Sequence, residues 1–181
     1  MIELLVSISI IVLVLTITLT RQSGFNSAVL LRSEAFDMAL NIREVQLGAV
    51  SAASDGSGEF RSTLGVRLTA NSNEYELFRD SDGDNVYDLN EQYGSRGTID
   101  PRFEIGTIEA VGATDPSQLA VVFQRPNFDA KFYNDATGSR IDASAVRIQI
   151  RLRGATGGSC GDQWRMVEIT SAGQIAVENC L

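Results

Sequence analysis

Hydrophobic and polar residues follow three different patterns along the chain. The first is a nearly uninterrupted apolar run, MIELLVSISIIVLVLTITLT, in which Glu3 is the only charged residue. A helix of about 18–20 apolar residues is just long enough to cross a bilayer core of roughly 30 Å. A cleavable signal peptide is the alternative, but the run is too long, lacks a preceding Lys or Arg, and has no small-residue cleavage site after it. We therefore expect residues 1–20 to form a transmembrane helix.

The second pattern, over residues 21–52, is amphipathic. Hydrophobic residues recur there at helical spacing between charged and polar ones, and no proline interrupts them. The apolar positions are Phe25, Val29, Phe36, Leu40 and Leu47, joined by Ala28, Ala35, Ala39 and Ile42. The pattern predicts that the first helix continues to a total of about 50 residues and packs this face on a soluble domain.

The third pattern, over residues 53–181, consists of short alternating runs separated by Gly, Asn, Asp and Ser, as in β-strands. The predicted strands are STLGVRLTA, EYELFRD, RFEIGTIEAVG, QLAVVFQR, AVRIQIRLR, WRMVEIT and QIAVEN. One long helix followed by several strands is typical of an α+β fold. We expect an antiparallel β-sheet packed on the helix, forming a β-rich head domain.

Composition limits the functions that the chain can have. The net charge is −8, which makes broad contact with a phosphate backbone unfavourable. The chain has no histidine, so it lacks the usual general base and the commonest transition-metal ligand. No nucleophile motif and no phosphate-binding glycine loop accompanies its carboxylates. We predict that the chain is not an enzyme and has no catalytic residues.

The two cysteines, Cys160 and Cys180, flank a predicted hairpin that turns at Ser171-Ala172-Gly173. An even pair of cysteines behind an apolar leader favours one structural disulfide formed in an oxidising compartment. A reactive thiol pair is the alternative.

The stretch RDSDGDNVYDLNE has the ligand spacing of an EF-hand-type calcium loop. The ligand positions fall on Asp80, Asp82, Asp84, Asp88 and Glu91, and on the carbonyl of Val86. Two features depart from the motif, because Asn85 replaces the preferred glycine and the flanks read as strand and coil instead of helices. The loop predicts calcium binding, and a solvated acidic turn between strands stays open as the alternative.

Three arginines share one face of the strand AVRIQIRLR, opposite the apolar residues Val146 and Ile148. These arginines are Arg147, Arg151 and Arg153. Such a strip can hold DNA phosphates, but it is also an ordinary solvated strand face. The net negative charge and the lack of interleaved aromatic residues favour the second interpretation and leave DNA as a minor hypothesis.

The start MIELLVSISIIVLVL, with Glu3 inside an apolar run that continues into an amphipathic helix, resembles the N-terminus of mature type IV pilins and type II secretion pseudopilins. The closing strand pair resembles minor, H-type pseudopilins more weakly. Family members usually begin with an aromatic residue and two more before Ile-Glu-Leu, so we expect about two leading residues to be missing here. The resemblance implies a structural, minor subunit of a pilus or pseudopilus, with N-terminal processing and methylation.

The resemblance also implies a role for Glu3, whose charge would meet the terminal amine of a neighbouring subunit in the filament. The residues alone support a second role, since a carboxylate in the first helical turn favours the macrodipole by about 0.3–1 kcal/mol. The implied partners are other pilin or pseudopilin subunits, the prepilin peptidase and the assembly machinery. Before assembly we expect a single-pass inner-membrane location, with the C-terminal domain outside the cytoplasm.

Two further hypotheses stay open. In one, a minor pilin binds DNA for uptake through the strand arginines. In the other, a membrane-anchored calcium-binding domain never polymerises.

Overall fold

A computed structural model describes residues 2–51, 63–155 and 157–178, with their side chains except those of residues 19–25. Helix α1 runs over Ile2–Val50 and contains 49 residues. At 1.5 Å per residue it is roughly 74 Å long. Residues 2–18 are exposed along their whole length, whereas the part from residue 26 onward packs against β-structure. The helix therefore extends well beyond the domain to which it belongs.

The prediction that residues 1–20 cross a membrane is wrong, and so is the single-pass inner-membrane location that followed from it. Among the described residues, no helical segment is both long and apolar enough to span a bilayer. The apolar part whose side chains are described comprises about 17 residues. That is roughly 25 Å of helix, against a hydrocarbon core of about 30 Å.

The β-domain contains strands in two sheets, and every pairing is antiparallel. The strands are β1 (Thr63–Thr69), β2 (Glu74–Asp80), β3 (Gly97–Thr98), β4 (Phe103–Ala110), β5 (Gln118–Phe123), β6 (Ala130–Asn134), β7 (Ser139–Ile141), β8 (Ala145–Leu152), β9 (Trp164–Thr170) and β10 (Ile175–Val177). The six-stranded sheet has the order β3-β2-β1-β5-β6-β7, and the four-stranded sheet has the order β10-β9-β8-β4.

The predicted fold was a partly membrane-spanning helix packed on one antiparallel sheet. The number of sheets is wrong too, because the strands divide between two sheets. Alternation along the sequence indicates where strands form, but it does not indicate which strands pair. Strand β1 pairs with β2 across a short turn and also with the distant β5. Among the described strands, β4 pairs with β8 alone. These long-range pairings separate the two sheets.

The core lies between the helix and the inner faces of both sheets. The helix buries Leu31, Ala35, Met38, Ala39, Ile42, Val45 and Ala49 there. The predicted packing face is wrong in its larger members, because Val29, Phe36, Leu40 and Leu47 are exposed. Phe25 lies outside the described side chains. Apolar residues occupy two sides of this helix, and the domain covers the side that carries the alanines.

Three side chains fix the second half of the helix to the domain. The Gln46 amide is buried and donates to the carbonyls of Phe128 and Gly173, each at 2.8 Å. The Arg125 guanidinium donates to the Val50 carbonyl at 2.7 Å, which caps the helix C-terminus. Arg43 donates to a carbonyl of β10. Because Gln46 joins loops from both sheets, the helix is held against the whole domain.

Candidate functional site: the exposed apolar helix and the acidic loop

Residues 2–18 of α1, here called the apolar segment, form the largest exposed hydrophobic feature among the described residues. Their Leu, Ile and Val side chains are between 49% and 79% exposed. These residues follow one another without a polar stripe, so they cover all sides of the helix. A helix that is apolar all round belongs in an interior, because each exposed aliphatic side chain forfeits about 1.5–3 kcal/mol of burial energy.

The hydroxyl groups of the apolar segment are satisfied within the helix. They donate to main-chain carbonyls of the preceding turn at 2.8–2.9 Å: Ser7 to Glu3, Ser9 to Leu5, Thr16 to Val12 and Thr18 to Leu15. Glu3 is the only charged residue of the segment and lies in its first turn. The segment therefore offers its surroundings an apolar surface with one carboxylate near the end.

The second feature is the acidic loop, residues 80–91, which leaves β2 and returns beside it. The Arg79 amide donates to the Glu91 carbonyl at 2.7 Å, and Phe78 forms a bridge with Gln92. Tyr87 attaches the loop to the six-stranded sheet, because its ring packs edge-on against Phe78 at 6.0 Å. The loop is thus closed at its base and anchored at its middle.

Asp135, in the turn between β6 and β7, completes this anchor. Its two carboxylate oxygens accept from the Tyr87 amide at 2.9 Å and from the Arg67 guanidinium at 2.6 Å. The same guanidinium lies over the Tyr87 ring, 5.4 Å from its centre. The sequence pattern did not predict these contacts, since no spacing signal connects residues so far apart in the chain.

Three of the predicted calcium ligands converge. Asp80, Asp82 and Asp84 each have a carboxylate oxygen within 4.8 Å of the other two. Main-chain amides hold them in place, since Asp80 accepts from Gly83 at 2.7 Å and Asp84 accepts from Val86 at 2.9 Å. Asn85 takes the left-handed conformation, with φ 65°, where an EF-hand loop prefers glycine.

Two carboxylates of the loop are buried. Asp80 is 8% exposed and Glu91 is 7% exposed. Glu91 accepts from the Ser81 amide at 2.6 Å and from the Asp88 amide at 3.3 Å. Burial raises the pKa of both groups, and the neighbouring aspartates add to the shift although main-chain hydrogen bonds oppose it. Within the described ranges, no Lys or Arg forms an ion pair with either carboxylate.

The donor set fits a hard cation, because carboxylate and carbonyl oxygens are the ligands that calcium prefers. Among the described residues, the converging group contains Asp80, Asp82 and Asp84, and the predicted ligands Asp88 and Glu91 are not members of it. The flanks are a strand and coil, so the site is not a paired-helix EF-hand.

The predicted DNA-binding arginines are engaged with neighbours on the sheet. Arg147 pairs with Glu168 at 2.8 Å and with Glu178 at 3.1 Å. Arg151 pairs with Glu104 at 2.9 Å. Arg153 donates to the side chain of Asn73 at 3.0 Å. The glutamates offset the positive charge of Arg147 and Arg151, so the geometry does not favour a phosphate-binding strip.

The disulfide predicted between Cys160 and Cys180 includes Cys180, which lies outside the described residues. Cys160 forms a β-bridge with Trp164 at the start of β9.

Comparison with known proteins adds no relative: no family model, curated protein or solved structure matches this chain significantly. The resemblance to pilins therefore rests on the residues themselves and stays a prediction.

Proposed function

We propose that this chain is a structural subunit of a type IV pilus or a secretion pseudopilus, assembling through its apolar segment. The observation that carries this proposal is the exposure of residues 2–18 on every side of the helix. A single partner helix covers only one side of such a segment. Several neighbours are needed to remove it from water, as in the core of a filament built from many copies.

Glu3 sets a requirement for such a core. An ionised carboxylate packed among aliphatic side chains is costly unless a cationic group of a neighbour pairs with it. The paired arrangement also fixes how far one helix is displaced along the next. The resemblance to pilins supplies the expected partner, an N-terminal amine of the adjacent subunit.

The experiment compares assembly of the full chain with that of a Glu3→Gln variant. Each protein is dispersed in detergent and diluted, and the critical concentration is measured by sedimentation and electron microscopy. Removing one partner of a buried ion pair costs about 3–5 kcal/mol, so the critical concentration should rise at least about 100-fold. Asp142→Asn, an exposed carboxylate on the domain, is the matched control and should assemble normally. Normal assembly of Glu3→Gln would contradict the role of this residue.

The acidic loop supports a second candidate function, the binding of a structural calcium ion. The observation that favours it is the burial of Asp80 and Glu91 without an ion-pair partner among the described residues. Buried charges are ordinarily paired or coordinate a metal. Asp80, Asp82 and Asp84, whose oxygens converge, would hold the ion, and Glu91, Asp88 and the Val86 carbonyl are the remaining predicted ligands.

Calcium binding is tested by thermal unfolding of the full chain in calcium chloride and in chelator. A ligand that binds only the folded state at 100 times its dissociation constant stabilises it by about 2.7 kcal/mol, which raises Tm by several degrees. Coincident unfolding curves would show that the loop is a solvated acidic turn that does not bind calcium.

A further inference from the structure

The second half of helix α1 carries an apolar stripe on the side that faces away from the domain. Val29, Phe36, Leu40 and Leu47 form this outer stripe, and their side chains are 54%, 44%, 58% and 58% exposed. At about 100° per residue, these positions lie within about 20° of one line along the helix. The buried residues, such as Met38 and Ile42, lie on the opposite side.

The spacing of the outer stripe is that of a helix–helix seam. Its members are separated by seven, four and seven residues, so they fill four of the six a and d positions of one heptad pattern, and Ser33 and Arg43 occupy the other two. A stripe restricted to a and d positions is narrower than the face a helix turns to a globular core, and it is typical of packing against another helix. Within the described residues, the domain covers only the other side.

Charges on the two flanks indicate which helix this is. Arg32 borders the outer stripe on one flank, and its guanidinium lies over the Phe36 ring, 5.5 Å from the centre. Asp37 and Glu44 border the stripe on the other flank, and both are exposed. When two copies of a helix pack in parallel, opposite flanks meet, whereas an antiparallel pair brings like flanks together. A second copy of this chain in parallel orientation therefore complements the stripe.

We propose that the outer stripe binds the outer stripe of a second copy, laid parallel, with Arg32 of one chain beside Asp37 of the other. This inference rests on the proposed function, since it extends the assembly interface from the apolar segment into the second half of the same helix. α1 is one continuous helix, so copies that pack in parallel along residues 2–18 continue side by side along the stripe. The contact would give each subunit a second attachment point besides the one near Glu3.

The first test is Leu40→Gln in the full chain, with the critical concentration for assembly as the readout. Replacing this seam leucine should raise the critical concentration at least about tenfold, the effect of losing one buried leucine contact. Leu89→Gln is the matched control, because Leu89 is 87% exposed and lies on the acidic loop instead of the helix. Val29→Gln should reproduce the effect of Leu40→Gln. Agreement between the two variants would show that the effect does not come from a folding defect in one of them.

The second test exchanges the flanking charges. Arg32→Glu and Asp37→Arg should each weaken assembly about two- to fivefold, as expected for exposed ion pairs. The double variant should assemble like the original chain, since the pair is restored with its signs reversed. A double variant as impaired as the two single changes combined would overturn the parallel pairing.

The outcomes separate this inference from the proposed function. Normal assembly of both Leu40→Gln and Val29→Gln, together with failure of Glu3→Gln, would overturn the seam and leave the proposed function standing. Failure of the stripe variants with normal assembly of Glu3→Gln would support the seam and overturn the role of Glu3. Normal assembly of all three variants would overturn both.

Discussion

Asp80 and Glu91 are carboxylates buried beneath a loop that already carries three other aspartates. Burial and the charges of Asp82 and Asp84 raise the pKa of Asp80, which means that its ionised form is disfavoured in the folded protein. A raised carboxyl pKa destabilises the fold above that pKa, and the penalty disappears as the pH falls below the unfolded value. A calcium ion would reverse this balance, because it favours the ionised form.

Asp80→Asn should therefore change stability in opposite directions with and without calcium. In chelator at pH 7 the variant should be more stable than the original chain by about 1 kcal/mol, the Coulomb energy of one like-charge pair near 4 Å in water. In calcium it should be less stable, because a ligand is lost. Urea unfolding measures both values, and Asp142→Asn should leave both unchanged. A variant destabilised equally under the two conditions would count against a calcium site.

The pH dependence in chelator provides a separate check. The advantage of Asp80→Asn should be complete at pH 7 and should vanish below the ordinary aspartate pKa of about 4, where Asp80 is protonated in both states. Urea unfolding at several pH values measures the difference. A difference that is constant with pH would show that burial of this charge is not its cause.

At the scale of elements, α1 and the strands differ in how far the sequence predicts them. All of the predicted strands occur, but three short ones were missed: β3, β6 and β7. β3 and β7 contain two and three residues, too few to display an alternation. They form because neighbouring strands supply their hydrogen bonds. The helix was predicted with its buried and exposed sides partly exchanged, since both sides are apolar and only the shape of the domain decides between them.

The candidate sites likewise contain features that the sequence predicts and features that it does not. The spacing from Asp80 to Asp84 predicted a cluster of carboxylates correctly, because such short loops converge through local hydrogen bonds. The anchor made by Asp135 and Arg67 was missed, because it depends on the pairing of strands that lie far apart in the chain. The sequence therefore predicts clusters formed by residues close together in the chain, whereas contacts between distant residues are known only from the fold.

Gly173 connects the four-stranded sheet, the helix and the loop after β5. Its φ is +82°, and a Cβ atom there would collide with the Phe128 carbonyl and press on the Gln46 amide. Gly173→Ala should cost about 3 kcal/mol, combining left-handed strain with loss of the Gln46 hydrogen bonds. Gly112→Ala is the control, since Gly112 has φ +91° and open space around it, and it should cost about 1–2 kcal/mol. Equal losses in urea unfolding would show that the Gln46 contacts contribute little.

At the scale of the whole molecule, the chain is a β-domain fixed to one half of a long helix whose residues 2–18 are exposed. Gln46 and Arg125 hold the helix to the domain, so a pull on the apolar segment is transmitted to both sheets. The partner proposed for Glu3 is a group of another molecule, so a single chain cannot show it. Both the apolar segment and the outer stripe become intelligible when copies of the chain pack side by side.

In the proposed assembly, residues 2–18 are buried against the same residues of other copies. Photo-crosslinking from a benzophenone side chain at Val12, which is 56% exposed, tests it in the assembled full chain. We expect chain-to-chain adducts that map by mass spectrometry to residues 2–18 of a second copy and that increase with the sedimented fraction. A benzophenone at Leu89 should give no such adducts. Adducts from Val12 that map only to the β-domain, or no adducts in assembled material, would contradict the account.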